Sequence, residues 1–145
     1  MTLLVLALIT TFAYYARFVQ GQAELAAIKT TLGSLRTALV VDHLKGQIQA
    51  RPNAAAPTQI NPFDVVGQLP SSYIGVVPRA QSATQAAGVW VFAPECPCVG
   101  YQPQNLGWLD TPSGNVWMWF EVTGMPGVPQ LKPKETYLWH NELVD

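Results

Sequence analysis

Charge is what this sequence has least of: Asp, Glu, Lys and Arg make up 12% of its 145 residues, against roughly 25% in an ordinary soluble domain. Hydrophobic residues make up 49%, so something apolar must cover much of the surface. Histidine occurs only at His43 and His140, and cysteine only at Cys96 and Cys98. Four zinc ligands cannot be assembled from that set with ligand spacing, and haem attachment would require a C-x-x-C-H run that is absent. There is no G-x-S-x-G, no H-E-x-x-H and no phosphate loop, and neither histidine has an acid-and-nucleophile pattern beside it. The chain therefore reads as a non-enzyme with no cofactor and no metal site. Asp110 is the only loop acid with suitable neighbours for a cation, and it is not assigned as a ligand.

The net charge of −1 hides an asymmetry. Residues 1–51 carry Arg17, Lys29, Arg36, Lys45 and Arg51 against Glu24 and Asp42, whereas residues 52–145 hold three basic and seven acidic groups. A stalk of +3 thus bears a head of −4. The head has no basic cluster to neutralise phosphates, which argues against nucleic acid as a partner. Cys96 and Cys98 flank Pro97, and in an oxidising compartment they would close a small disulfide that rigidifies a turn; free thiols are the alternative.

What is present is a long apolar start. Met1 to Ala16 contains no charge, enough for roughly 24 Å of helix, slightly short of a hydrocarbon core unless it is extended to Val19 with Arg17 snorkelling. It lacks a basic n-region and an A-x-A cleavage site, so it reads as mature structure and not as a secretory address. From Leu25 the apolar residues recur at Leu25, Ile28, Leu32, Leu35 and Leu39, with a neighbouring stripe through Val41, Leu44 and Ile48. That alternation of threes and fours predicts one amphipathic helix to about Gln49. Gly21 marks the expected place for bending or melting, and Arg51-Pro52 is the expected stop. The expected division is 1–51 for the helix, with 1–19 as membrane or filament core and 20–51 as stalk, and 52–145 for the head.

After a linker at Asn53–Pro57, Asn61 as N-cap, Pro62 at the first position and Asp64 in a capping box predict a short helix ending near Gly67. The period then becomes two. Gly88–Ala93 and Cys98–Gln102 predict a hairpin with the cysteines at its tip or second shoulder, Asn115–Thr123 the clearest strand, and Thr136–His140 a last short one. Val116, Met118, Phe120 and Val122 are assigned to the helix-facing core. Trp117 and Trp119 fall on the opposite face, where coverage by the head's own loops is preferred over a subunit contact or a ligand platform. The fold class expected is α+β, with a long protruding N-terminal helix packed on a small antiparallel sheet.

These features resemble the type IV pilins and type II secretion pseudopilins. The match lies in the apolar start, the following Arg17, Gly21 and the amphipathic continuation, and in the run Asn61-Pro62-Phe63, Leu69-Pro70, Tyr73-Ile74-Gly75 and Gly88-Val-Trp-Val-Phe92. The resemblance implies removal of a leader by a prepilin peptidase, leaving Met1 as first residue and site of N-methylation. It also implies residence in the bacterial inner membrane, then extrusion by an assembly platform into an extracellular helical homopolymer. The expected assembly residues are Met1, Leu3, Leu4, Val5, Leu6, Leu8, Ile9, Phe12 and Tyr15. Two departures stand out: Met1 where the family has phenylalanine, and Val5 where it has a glutamate thought to meet a neighbour's terminal ammonium. Without that carboxylate, three outcomes follow. Thr2, Thr10 or Thr11 hydrogen-bonds the amine, the amine is neutral or methylated, or the subunit sits at a tip. The main-subunit reading is preferred, with a tip pseudopilin or a non-polymerising single-pass protein as alternatives. Electron conduction through Phe12, Tyr14, Tyr15 and Phe18 is weighed and set below packing at the membrane interface.

Overall fold

The computed structural model describes residues 1–49 and 60–145. The stop at Arg51-Pro52 and the linker Asn53–Pro57 lie outside the described residues. The architecture is α+β: a helix α1 (Thr2–Gln49), a short helix α2 (Pro62–Val65), and eight strands in two sheets. At 1.5 Å per residue α1 is about 72 Å long, so it must project beyond any head of this size. Its five-residue stripe behaves as its spacing dictates, since Leu25, Ile28, Leu32, Leu35 and Leu39 are all buried. The neighbouring stripe does not follow: Val41, Leu44 and Ile48 are exposed.

Gly21 does not melt or end the helix, which runs through it unbroken. The expected break is absent because the head packs on Gly21. A β-carbon there would lie 2.9 Å from the Trp108 ring, and Trp139 Nε1 donates a hydrogen bond to the Gly21 carbonyl at 3.0 Å. The residue is small so that two indoles can approach the backbone.

The larger sheet has the order β1-β2-β3-β5-β6, with β1 at Tyr73–Val76, β2 at Val89–Ala93, β3 at Cys98–Gln102, β5 at Met118–Thr123 and β6 at Gln130–Pro133. It is not wholly antiparallel, because β1 pairs parallel with β2 (Tyr73 opposite Trp90). A segment containing a 3-10 turn at Arg79–Thr84 makes the crossover. The last predicted strand is Tyr137–Trp139, β7, and it belongs to a second sheet, β4-β7-β8, with β4 at Leu109–Asp110 and β8 at Glu142–Val144.

Period-two alternation splits the sheet into two cores. Trp90, Phe92, Val99, Tyr101, Met118, Phe120, Val122 and Leu131 pack with the α1 stripe, joined by Phe63, Tyr137, Trp139 and Val144. On the other face Val91, Ala93, Cys98, Trp117 and Trp119 form a second cluster with Val77 and Cys96 against it, and the Arg79 guanidinium lies 5.1 Å over the Trp119 ring. The tryptophans are thus covered from within the head. Gly100 stands opposite Trp119 in the ladder, and a β-carbon there would lie 2.4 Å from the indole. Val116 is exposed and outside the core, because β5 begins only at Met118.

α2 ends at Val65, two residues short of Gly67, with Val66 already extended. Asn61 caps it as expected, its Oδ1 accepting from Phe63 N at 3.1 Å. Asp64 takes part through its side chain, which accepts from Asn61 Nδ2 at 3.2 Å.

Leu32 is 0% exposed and Val41 is 41% exposed. Truncating a buried leucine leaves a cavity, so Leu32→Ala should cost about 2–5 kcal/mol, while Val41→Ala should stay within about 0.5 kcal/mol. Chemical denaturation of the two variants checks this, and equal losses would contradict the assignment of the core face.

Candidate functional site

The candidate site is the part of α1 that the head leaves bare. Met1, Leu3, Leu4, Val5, Leu6, Leu8, Ile9, Phe12 and Tyr15 are all exposed, from 107% at Met1 to 52% at Val5. Within an 18-residue window long and apolar enough to cross a membrane, no residue is buried. No proline interrupts the helix, and its only polar side chains before Arg17 are threonines and tyrosines.

Two of those threonines turn their hydroxyls inward. Thr10 Oγ1 donates to the Leu6 and Ala7 carbonyls at 3.1 and 2.9 Å, and Thr11 Oγ1 donates to the Ala7 carbonyl at 2.8 Å. Each hydroxyl proton is thereby satisfied within the helix, so the segment tolerates an apolar environment on every side. The hydroxyl oxygens keep lone pairs with which to accept. Tyr14 and Tyr15 meet edge to face, ring centroids 5.9 Å apart.

The bare segment ends at an aromatic junction. Phe18 touches Trp108 at 5.6 Å and His140 at 6.2 Å between ring centroids, and Trp108 lies 4.6 Å from His140 and 6.3 Å from Trp139. One turn higher, Glu24 clamps the loop that delivers Trp108. Its Oε1 accepts from Tyr101 Oη at 3.0 Å and Gln104 N at 2.6 Å, and its Oε2 accepts from Asn105 N and Nδ2 at 3.1 and 2.5 Å. Four donors on one carboxylate are charge-assisted bonds of the stronger kind. Burial first, and then the charge and hydrogen bond of Glu24, push the Tyr101 phenol well above its ordinary value of 10.0.

Cys96 and Cys98 are joined in a disulfide, with 5.1 Å between their α-carbons. They sit where β2 turns into β3, far along the chain from the projecting segment. Among the described residues no group of three His, Cys, Asp or Glu side chains comes together as a metal cluster.

Sequence reasoning missed the junction residues Trp108, Trp139 and His140 and the clamp at Glu24. One signal was available: Gly21 and Glu24 fall where all-round apolarity gives way to a single stripe, and small and acidic residues there suit close contact with another element.

Two predictions follow from the junction. Glycine costs about 1 kcal/mol relative to alanine within a helix, and nothing lies within 4 Å of a β-carbon built at Gly33. Gly33→Ala should therefore raise stability by up to about 1 kcal/mol, whereas Gly21→Ala should lower it by displacing Trp108; thermal unfolding of both variants gives the signs. For Tyr101 the folded value lies above the unfolded one, so the neutral phenol's contribution is complete below pH 10 and is lost as pH rises from there towards the folded value. Tyr101→Phe should make the alkaline decline of the denaturation midpoint shallower, and a decline as steep as in the parent chain would contradict the assignment.

Comparison of the chain with protein-family models, with curated proteins and with solved structures returned no match.

Proposed function

We propose that this chain is a structural subunit of an extracellular type IV pilus-like filament, held in the inner membrane before assembly and polymerising through the bare half of α1. The observation that carries the reading is the apolar rod itself: an unbroken helix whose first half is exposed on all sides and whose second half holds its own head. A water-exposed rod of that composition is unstable against lipid or other copies, since each large apolar side chain taken out of water gains about 1.5–3 kcal/mol. Lipid satisfies it in the membrane, and identical rods satisfy it in a filament. A contact between different patches of identical subunits gives a ring where its rotation closes and an open helical polymer where it does not; the open polymer is the form proposed.

The partners in this reading are other copies of the chain, an assembly platform in the inner membrane and a prepilin peptidase, with Met1 as the processed and methylated residue. Catalysis, cofactors and nucleic acid have no part in it. The tip-subunit reading is favoured by one observation, Val5 in place of an acidic residue, because an uncompensated ammonium in an apolar core costs several kcal/mol.

Electron microscopy of material sheared from expressing cells, with the chain labelled, tests the proposal. Label along the shaft is expected; label only at ends would move the assignment to the tip, and no filaments at all would leave a single-pass membrane protein. The paired variant Leu8→Asp/Phe12→Asp should abolish filaments while the head's unfolding midpoint stays unchanged, because neither residue touches the head. Filaments of normal number from that variant would defeat the reading.

A further inference from the structure

The apolar rod is at the short end of what crosses a bilayer. From Thr2 to Ala16 it covers about 22 Å, and even to Val19 about 27 Å, against a hydrocarbon core of about 30 Å. Such a mismatch is met by thinning the bilayer, by snorkelling, or by interfacial groups that extend the apolar length.

Those groups are present and cannot be elsewhere. No spacer separates rod from head: Phe18 packs on Trp108 and His140, and Gly21 carries the Trp108 ring and the Trp139 hydrogen bond. The underside of the head is therefore held within about one helical turn of Arg17. That underside is formed by the 3-10 turn Leu106–Trp108 and the turn at His140-Asn141, tied together by His140 N donating to the Trp108 carbonyl at 2.8 Å. Leu106 and His140 are exposed and Trp108 is half-buried. A leucine with an indole beside it and a wet imidazole at the rim suit the boundary between acyl chains and headgroups, where amphipathic rings concentrate.

We infer that this underside is a lipid-contact face: before assembly the head rests directly on the bilayer, with Leu106 and Trp108 at headgroup level, lengthening the short apolar span. The inference rests on the reading of α1 as membrane-seated. Its occupant is lipid, because the face adjoins the end of the rod at Phe18 and Gly21.

The test uses the full chain with Cys96 and Cys98 in their disulfide, reconstituted at one chain per phosphatidylcholine nanodisc. An environment-sensitive thiol fluorophore is placed singly at Phe12→Cys, Leu106→Cys or Leu69→Cys, the last an exposed site whose loop packs beside Thr31 and Leu35, higher on α1. Gly107→Cys, open to solvent, serves as a second probe of the underside. With lipids brominated near the headgroup end of the acyl chain, emission should fall at Phe12 and at Leu106 or Gly107 and stay constant at Leu69. Quenching at Phe12 with none at Leu106 or Gly107 would overturn the inference and leave the membrane reading standing. No quenching at Phe12 would remove the membrane reading and the inference with it. Quenching at all sites, Leu69 included, would mean that the head lies on the bilayer without a chosen face, which also overturns it.

Discussion

Everything in this molecule hangs from five side chains on one face of α1. Leu25, Ile28, Leu32, Leu35 and Leu39 pack on the inner face of the five-stranded sheet, joined there by Phe63 of α2 and by Tyr137, Trp139 and Val144 of the second sheet. Their spacing fixes the helix's rotation, its rotation sets which residues face water, and the stripe's lower end at Leu25 sets how much helix is left over. The bare rod is thus a consequence of where the stripe begins. Were the stripe to start two turns earlier, the head would cover the segment on which assembly is proposed to depend.

The helix and its stripe were legible in the sequence because a helical period sustained over four turns has no competing reading. The hairpin and the inward set Met118, Phe120 and Val122 were legible for the same reason, with a period of two. What escaped was long-range. The parallel pairing of β1 with β2 depends on a crossover whose local signals are only turns, and the separate sheet of β4, β7 and β8 is assembled from strands of two and three residues, too short to carry a period. Val116 was misplaced by extending an alternation past the start of its strand. Gly21 was misread because propensity weighs a glycine by what it lacks, whereas here two indoles use the space it leaves.

The projecting segment was legible as an apolar helix but not as a chemically quiet one. Thr10 and Thr11 spend their hydroxyl protons on their own backbone, which leaves Thr2 and the phenols of Tyr14 and Tyr15 as its remaining polar side chains. Were Met1 the processed first residue, as proposed, its ammonium would add positive charge to the helix end that already carries the positive pole of the macrodipole. With Val5 one turn away in place of an acid, relief must come from outside the helix or from modification of the amine. In that respect the assignment of the rod to a filament interior is more demanding for this chain than for one with a carboxylate there.

The unbroken passage through Gly21 also has a mechanical meaning. A helix that melted there would act as a tether, lengthening under tension before passing any load to the head. Here a pull on the rod reaches the head at once, as shear along the leucine stripe. The first contacts to bear it are those nearest the rod: the Trp139 bond to the Gly21 carbonyl and the four-donor grip on Glu24. Because these bonds bear on one turn of helix and act in parallel, they share the force instead of breaking one after another.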